Sequence, residues 1–227
     1  MPTGPLPLVI LSHGGLRSAD DSGAWLAAGL AETGAVVVEV SAPRIETGVE
    51  AAAEIAARPG DISRAVDVML NHAGWAERVD TDRIAVVGFA LGGTAALAVA
   101  GAEVDAAAIA GACAPGGMGS PDCDWLAGQG ASLEAFALAE AQDGRFGRAV
   151  AIAPEYAGAL DGADVPMRVV TLNDGLTLFD AFPVCTGRAP EILGEGAVIC
   201  GASDEARRAA HERISGAVSG FLAETWD

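Results

Sequence analysis

The sequence contains only three histidines, and none stands in a cysteine or carboxylate cluster at metal-ligand spacing. No metal site is expected. No other cofactor is indicated either, because there is no P-loop and no G-x-G-x-x-G after a strand. The glycine-rich stretch 111–119 has no helix behind it and makes a poor phosphate cradle. No apolar run approaches the roughly 20 residues that cross a bilayer. The opening residues, Met1 to Leu11, lack a basic region and a cleavage site, so they do not read as a signal peptide. Basic residues are scarce: 13 Lys+Arg stand against 31 Asp+Glu, for a formal charge of −18. Such a surface repels nucleic acid and anionic lipid, and it keeps an Ala- and Gly-rich chain in solution. No repeat, low-complexity tract or linker divides the 227 residues, so one domain over 1–227 is expected.

Half of the chain is apolar, enough for a sizeable core. Four cysteines fall into two local pairs, Cys113/Cys123 and Cys185/Cys200, neither at C-x-x-C spacing. As disulfides they would close short loops, contribute about 2–3 kcal/mol each, and indicate an oxidising compartment, periplasmic or secreted. As buried free thiols they suit a cytoplasmic protein, which the lack of a signal peptide favours. Both readings stand at this point.

Strand and helix patterns alternate along the chain. Leu6–Leu11 reads as a buried strand ending in Ser12-His13-Gly14-Gly15. Asp20, Asp21 and Ser22 offer caps for a helix through Trp25, Leu26 and Leu30, stopped at Gly34. Ala35–Val40 is the next strand. A connection over 41–60 carries a short helix near Val49–Ala57, and Asp61 then caps a new helix bearing Ile62, Ala65, Val66, Met69 and Ala73. His72, at its end, reads as a C-terminal cap or surface residue. Ile84–Val87 is a strand and Gly92–Ala100 a helix. Residues 101–147 read as a lid or excursion, with a helix at Leu133–Ala141. Strands follow at Ala149–Ala153, Met167–Leu172 and, briefly, Ala197–Cys200. The final helix buries Ala210, Ile214, Ala217, Val218, Phe221 and Leu222 and keeps Glu205, Arg207, Arg208, Glu212 and Arg213 outside. This order predicts a three-layer α/β domain, a mostly parallel sheet with helices on both faces.

The chemistry centres on Gly88-Phe89-Ala90-Leu91-Gly92-Gly93, between the Ile84–Val87 strand and an Ala-rich helix. A nucleophile elbow is written G-x-S-x-G, with glycines where the turn excludes side chains. Together with the Leu11-Ser12-His13-Gly14-Gly15 loop, Ala181-Phe182-Pro183-Val184-Cys185, Cys200 and Arg207–His211, this resembles the α/β-hydrolase superfamily. The similarity is to its dienelactone-hydrolase-like and platelet-activating-factor-acetylhydrolase-like branch, from about Pro7 to Leu222. Family members typically carry two more strands before the first one here. The sheet is therefore expected to be reduced at its start, or the chain trimmed, leaving an edge that a partner chain can cover.

The resemblance implies that His13, Gly14, Gly15 and the Leu91 N–H frame an oxyanion hole. It also implies a serine at position 90, where this chain has an alanine, and a histidine shortly before Ala181, where it has none. The expected acid falls on Ala153. Asp174 is the other acid position, or an ordinary turn aspartate. His211 remains as a base candidate, although a helical histidine there also reads as structural; the His13 ring is usually structural in such loops. With no hydroxyl at Ala90, Ser-His-Asp catalysis lacks its nucleophile. The leading expectation is a non-catalytic homologue that binds a small ester, lipid or peptide-like ligand, or a protein partner. A second is an esterase whose nucleophile was changed to Ala90, with Asp174 and His211, or a lyase or isomerase using His13 and water. A third is an acidic interaction module or homo-oligomer that uses an exposed sheet edge.

Overall fold

Alternating side chains on the central strands separate two apolar layers, because successive Cβ atoms point to opposite faces. The structure, a computed structural model, describes residues 4–15, 23–41, 45–119, 123–131, 141–163, 165–171 and 181–226. The strands are β1 (Leu6–Ser12), β2 (Val36–Val40), β3 (Val79–Phe89), β4 (Glu103–Val104), β5 (Arg148–Ile152), β6 (Leu160–Asp161) and β7 (Met167–Val170). The helices are α1 (Ala24–Glu32), α2 (Gly48–Asn71), α3 (Ala90–Val99), α4 (Ala106–Ala110), α5 (Cys123–Gly128), α6 (Ala189–Leu193) and α7 (Asp204–Trp226). Leu8, Ile10, Ile84, Val86, Ala149 and Ala151 pack against α2 and α3. Val9, Leu11, Ala85, Val87, Val150 and Ile152 pack on the other side against Leu26 and Leu30 of α1 and Ile214, Val218 and Leu222 of α7. The result is the expected three-layer α/β domain.

The main sheet is parallel throughout, in the order β2-β1-β3-β5-β7. The chain first moves outward from β1 to β2, then returns across β1 to β3. The carboxyl ends of β1 and β3 therefore flank a topological switch point, where connections diverge and open α/β sheets hold their ligands. Ser12, the last residue of β1, pairs in register with Gly88 of β3. Both β2 and β7 are edge strands. Arg168 and Val169 of β7 are exposed.

The excursion after α3 brings α4, α5 and the β4–β6 ribbon onto a separate apolar cluster with Leu91, Ala51, Ile55 and Tyr156. No described helix is long and apolar enough to cross a membrane.

Four expectations about local structure change. First, Pro59-Gly60-Asp61 does not start a helix. α2 runs unbroken from Gly48 to Asn71 with Pro59 inside it, and begins at a Thr47–Glu50 capping box. An interior proline costs about 3 kcal/mol. One continuous buried face, Ala51, Ile55, Ile62 and Val66, offsets that cost. Second, α1 is capped at Gly23, whose N–H donates to the Glu39 carboxylate (2.9 Å); Asp20, Asp21 and Ser22 lie outside the described residues. Third, Ala197–Cys200 is the end of a 3-10 helix, Gly194–Cys200, and not a strand. Fourth, Arg207 is not on the outer face of α7. It is 2% exposed, the largest fully buried side chain described. The expected helix at Leu133–Ala141 falls almost wholly outside the described residues.

Both cysteine pairs form disulfides, Cys113–Cys123 and Cys185–Cys200, with Cα–Cα separations of 5.3 and 5.6 Å. Removing the second, which spans 15 residues, is expected to cost about 3 kcal/mol in the chain-entropy account. Urea unfolding of a Cys185→Ser/Cys200→Ser variant checks this. A midpoint equal to that of the parent protein would show that the loop is already held by other contacts.

Candidate functional site

The elbow is built by close backbone approaches at three glycines. A methyl group on Gly88 would collide with the Gly92 carbonyl, and one on Gly92 with the carbonyls of Ser12 and His13. One on Gly14 would lie 2.9 Å from the Ala90 methyl and 3.0 Å from the Phe89 oxygen. Only hydrogen fits at these three positions, so β1, β3 and the first turn of α3 meet backbone to backbone. Gly14 is the residue of the His13–Gly15 loop that lies against Ala90 and Phe89.

Ala90 sits at the apex with φ 46°, between extended Phe89 and the body of α3. Left-handed backbone at an L-residue costs about 1–2 kcal/mol and persists only where the surroundings impose it. Two further residues with positive φ that are not glycine, Ala153 (47°) and Tyr156 (55°), lie just beyond β5. Between those two residues, Glu155 N–H donates to the Ala90 carbonyl (3.3 Å), and the single proton of the buried Thr94 hydroxyl is shared between the Glu155 and Ala90 carbonyls. Ala153, an expected acid position, directly follows Ile152, which pairs in register with Phe89, and it carries only a methyl group. Thr94 and Glu155, absent from the sequence-based candidates, hold the turn.

The electrostatics of the apex come from the backbone. The first N–H groups of α3, Leu91 among them, have no intrahelical acceptor. Phe89 at the cap position supplies no side-chain acceptor, and the first turn carries no acidic residue. Among the described residues, no capping side chain or first-turn carboxylate offsets the positive end of the α3 dipole.

His13 is 3% exposed, and its Nδ1–H donates to the Gly14 carbonyl (3.0 Å). Behind the same loop lies a buried ion pair. Arg58 Nε donates to Glu54 Oε1 (2.7 Å), while its two terminal nitrogens donate to the carbonyls of His13 and Gly15 (3.2 Å each). Burial raises the Glu54 carboxyl above its ordinary value, and the Arg58 charge pulls it back. This pair was not among the sequence-based candidates. Its signal was the Glu-x-x-x-Arg spacing, visible once 48–71 is read as one helix.

The remaining base candidate, His211, lies on the other face of the sheet. Its ring stacks flat on Trp25 at 3.7 Å, and Trp25 also packs against Phe89 at 5.9 Å. His211 Nε2–H and Arg207 both donate to the Phe182 carbonyl (3.1 and 2.8 Å), Arg207 also to that of Ile199 (2.5 Å), and Trp25 Nε1 to that of Ala181 (2.9 Å). The Ala-Phe, paired-Cys and Arg-x-x-x-His elements thus assemble into one latch around Cys185–Cys200. His72 caps α2, its Nδ1 accepting from Gly74 N–H (3.1 Å). Asp174 lies outside the described residues.

These features define a strand–turn–helix elbow on a parallel α/β sheet compatible with an α/β-hydrolase-like fold. No protein-family model matches the chain, and no curated protein matches it significantly.

Proposed function

We propose that the chain is a non-catalytic relative of serine esterases that binds a small ester or other carbonyl-bearing ligand at the Ala90 elbow. The observation that carries this reading is Ala90 itself: a strained, glycine-flanked apex at the switch point, bearing a methyl group where acyl transfer needs a hydroxyl. Strained backbone of this kind clusters at active sites and ligand clamps. The Gly14–Gly15 loop and the Leu91 N–H support the carbonyl-binding half of the proposal. Within that proposal, the dienelactone-hydrolase-like and acetylhydrolase-like branch rests on the sequence motifs alone, Leu11–Gly15, Ala181–Cys185 and Arg207–His211.

Ala90→Ser is the direct test. A serine that lacks a paired imidazole gains little, since triad members act as a unit worth about six orders of magnitude in rate. The folded variant is expected to show no p-nitrophenyl acetate turnover above the parent protein and no fluorophosphonate labelling. Turnover or labelling would mean that a working base and acid face position 90, and the non-catalytic reading would fall.

A further inference from the structure

The geometry points to Arg58, seated on Glu54, as the positioning residue that sets the His13–Gly15 loop for ligand binding. This rests on the elbow being a ligand site. The carbonyl and N–H of a trans peptide point in opposite directions. With the His13 oxygen drawn to one Arg58 nitrogen and the Gly15 oxygen to another (3.2 Å each), the Gly14 N–H is turned to the opposite face of the loop. Gly14 is also the residue pressed against Ala90. The guanidinium thereby fixes both ends of a three-residue loop that has no side chain at two of its positions and would otherwise sample many backbone states.

The chemistry of the brace is specific to arginine. The chain has no lysine, and all 13 of its basic residues are arginine. Arg58, Arg83, Arg145, Arg148 and Arg207 each donate to backbone carbonyls. A planar fork can hold two carbonyls and a carboxylate at fixed angles, whereas an ammonium cannot. Arg58 differs from the other four in pairing with a buried carboxylate directly behind the elbow loop: the two side chains are 4% and 5% exposed. Glu54 Oε2 has no hydrogen-bond partner among the described residues. A buried ion pair with one unsatisfied oxygen is a poor source of stability compared with apolar residues of the same volume. Its other effect is to orient the loop.

The test separates holding the fold from orienting the loop. Wild type, Arg58→Met and Glu54→Gln/Arg58→Met are compared by urea unfolding and by 15N-resolved titration with methyl butyrate. In the wild type, the Gly14 and Leu91 amide resonances are expected to shift saturably. Arg58→Met leaves Glu54 buried without its partner and is expected to lose stability. The double variant removes both charges and is expected to recover most of the unfolding midpoint, yet to bind methyl butyrate at least tenfold more weakly. It also keeps the question answerable if the single variant does not fold. A double variant that binds like wild type would overturn the positioning role. If the wild type shows no shift, the ligand-site reading fails instead. Hydrogen exchange then decides the brace: Gly14 and Gly15 amides exchanging at least tenfold faster in the double variant, with Val9 and Val86 unchanged, support it, and equal protection overturns it.

Discussion

Gly92→Ala is expected to lower folding stability by about 3 kcal/mol or more, at the upper end of what overpacking costs. The added methyl would meet two backbone carbonyls, those of Ser12 and His13. Backbone cannot rotate out of the way as a long side chain can. Relief requires β1 and α3 to separate, which breaks the Ser12–Gly88 register and opens the two apolar layers that β1 divides. The same substitution elsewhere is expected to have the opposite sign. Gly216 lies within α7 with open space around it, so Gly216→Ala is expected to stabilise by about 0.5–1 kcal/mol through helix propensity. Urea unfolding of the two variants side by side is the measurement. A Gly92→Ala protein within 0.5 kcal/mol of the parent, an interval on the order of ordinary surface changes, would mean that the elbow is looser than its backbone contacts indicate.

Arg207→Met is expected to cost about 2–4 kcal/mol. The buried guanidinium donates to the carbonyls of Phe182 and Ile199, and hydrogen bonds to a charged group contribute about 1.5–3 kcal/mol each. The loss is less than the full sum because His211 still serves the Phe182 oxygen. Ile199 precedes Cys200, and Phe182 lies shortly before Cys185. The arginine and the disulfide therefore restrain the same segment. Combining Arg207→Met with Cys185→Ser/Cys200→Ser is expected to cost less than the two changes added together, since residues that share a constraint couple. Arg207→Lys is expected to recover less than half of the loss, because one ammonium cannot span both carbonyls. A full additive loss in the combined variant would show that latch and disulfide act independently.

Much of the fold was legible in the sequence. The runs around Leu8–Leu11, Val36–Val40, Ile84–Val87 and Ala149–Ile152 are short, apolar and separated by helical periodicity, and strands buried on both faces are written that way. The cysteines were legible as two local pairs, while the choice between disulfide and free thiol came from the structure. The errors share one cause. Pro59, Arg207 and Ala197–Cys200 were read from intrinsic tendencies, and each was overruled by partners distant in the chain. Pro59 stays helical because residues on both sides of it bury one face. Arg207 turns inward to carbonyls supplied by Phe182 and Ile199. The 3-10 helix ending at Cys200 replaces a strand because that cysteine is tied back to Cys185.

The candidate site was legible as a motif and not as a mechanism. Gly88-x-Ala90-x-Gly92 announces a tight turn because only glycine tolerates such approaches. Nothing in the spacing announces that Glu54 and Arg58, which lie on either side of the expected helix end at Ala57, stand behind the His13 loop. By itself, the sequence determined the layer order, the elbow and the missing hydroxyl, since these follow from local periodicity and from the atoms that each residue carries. Tertiary structure alone decided which buried charges face which carbonyls and why Ala90 holds a left-handed backbone. Hydrogen bonds and backbone contacts between segments far apart in the chain leave no local pattern to read.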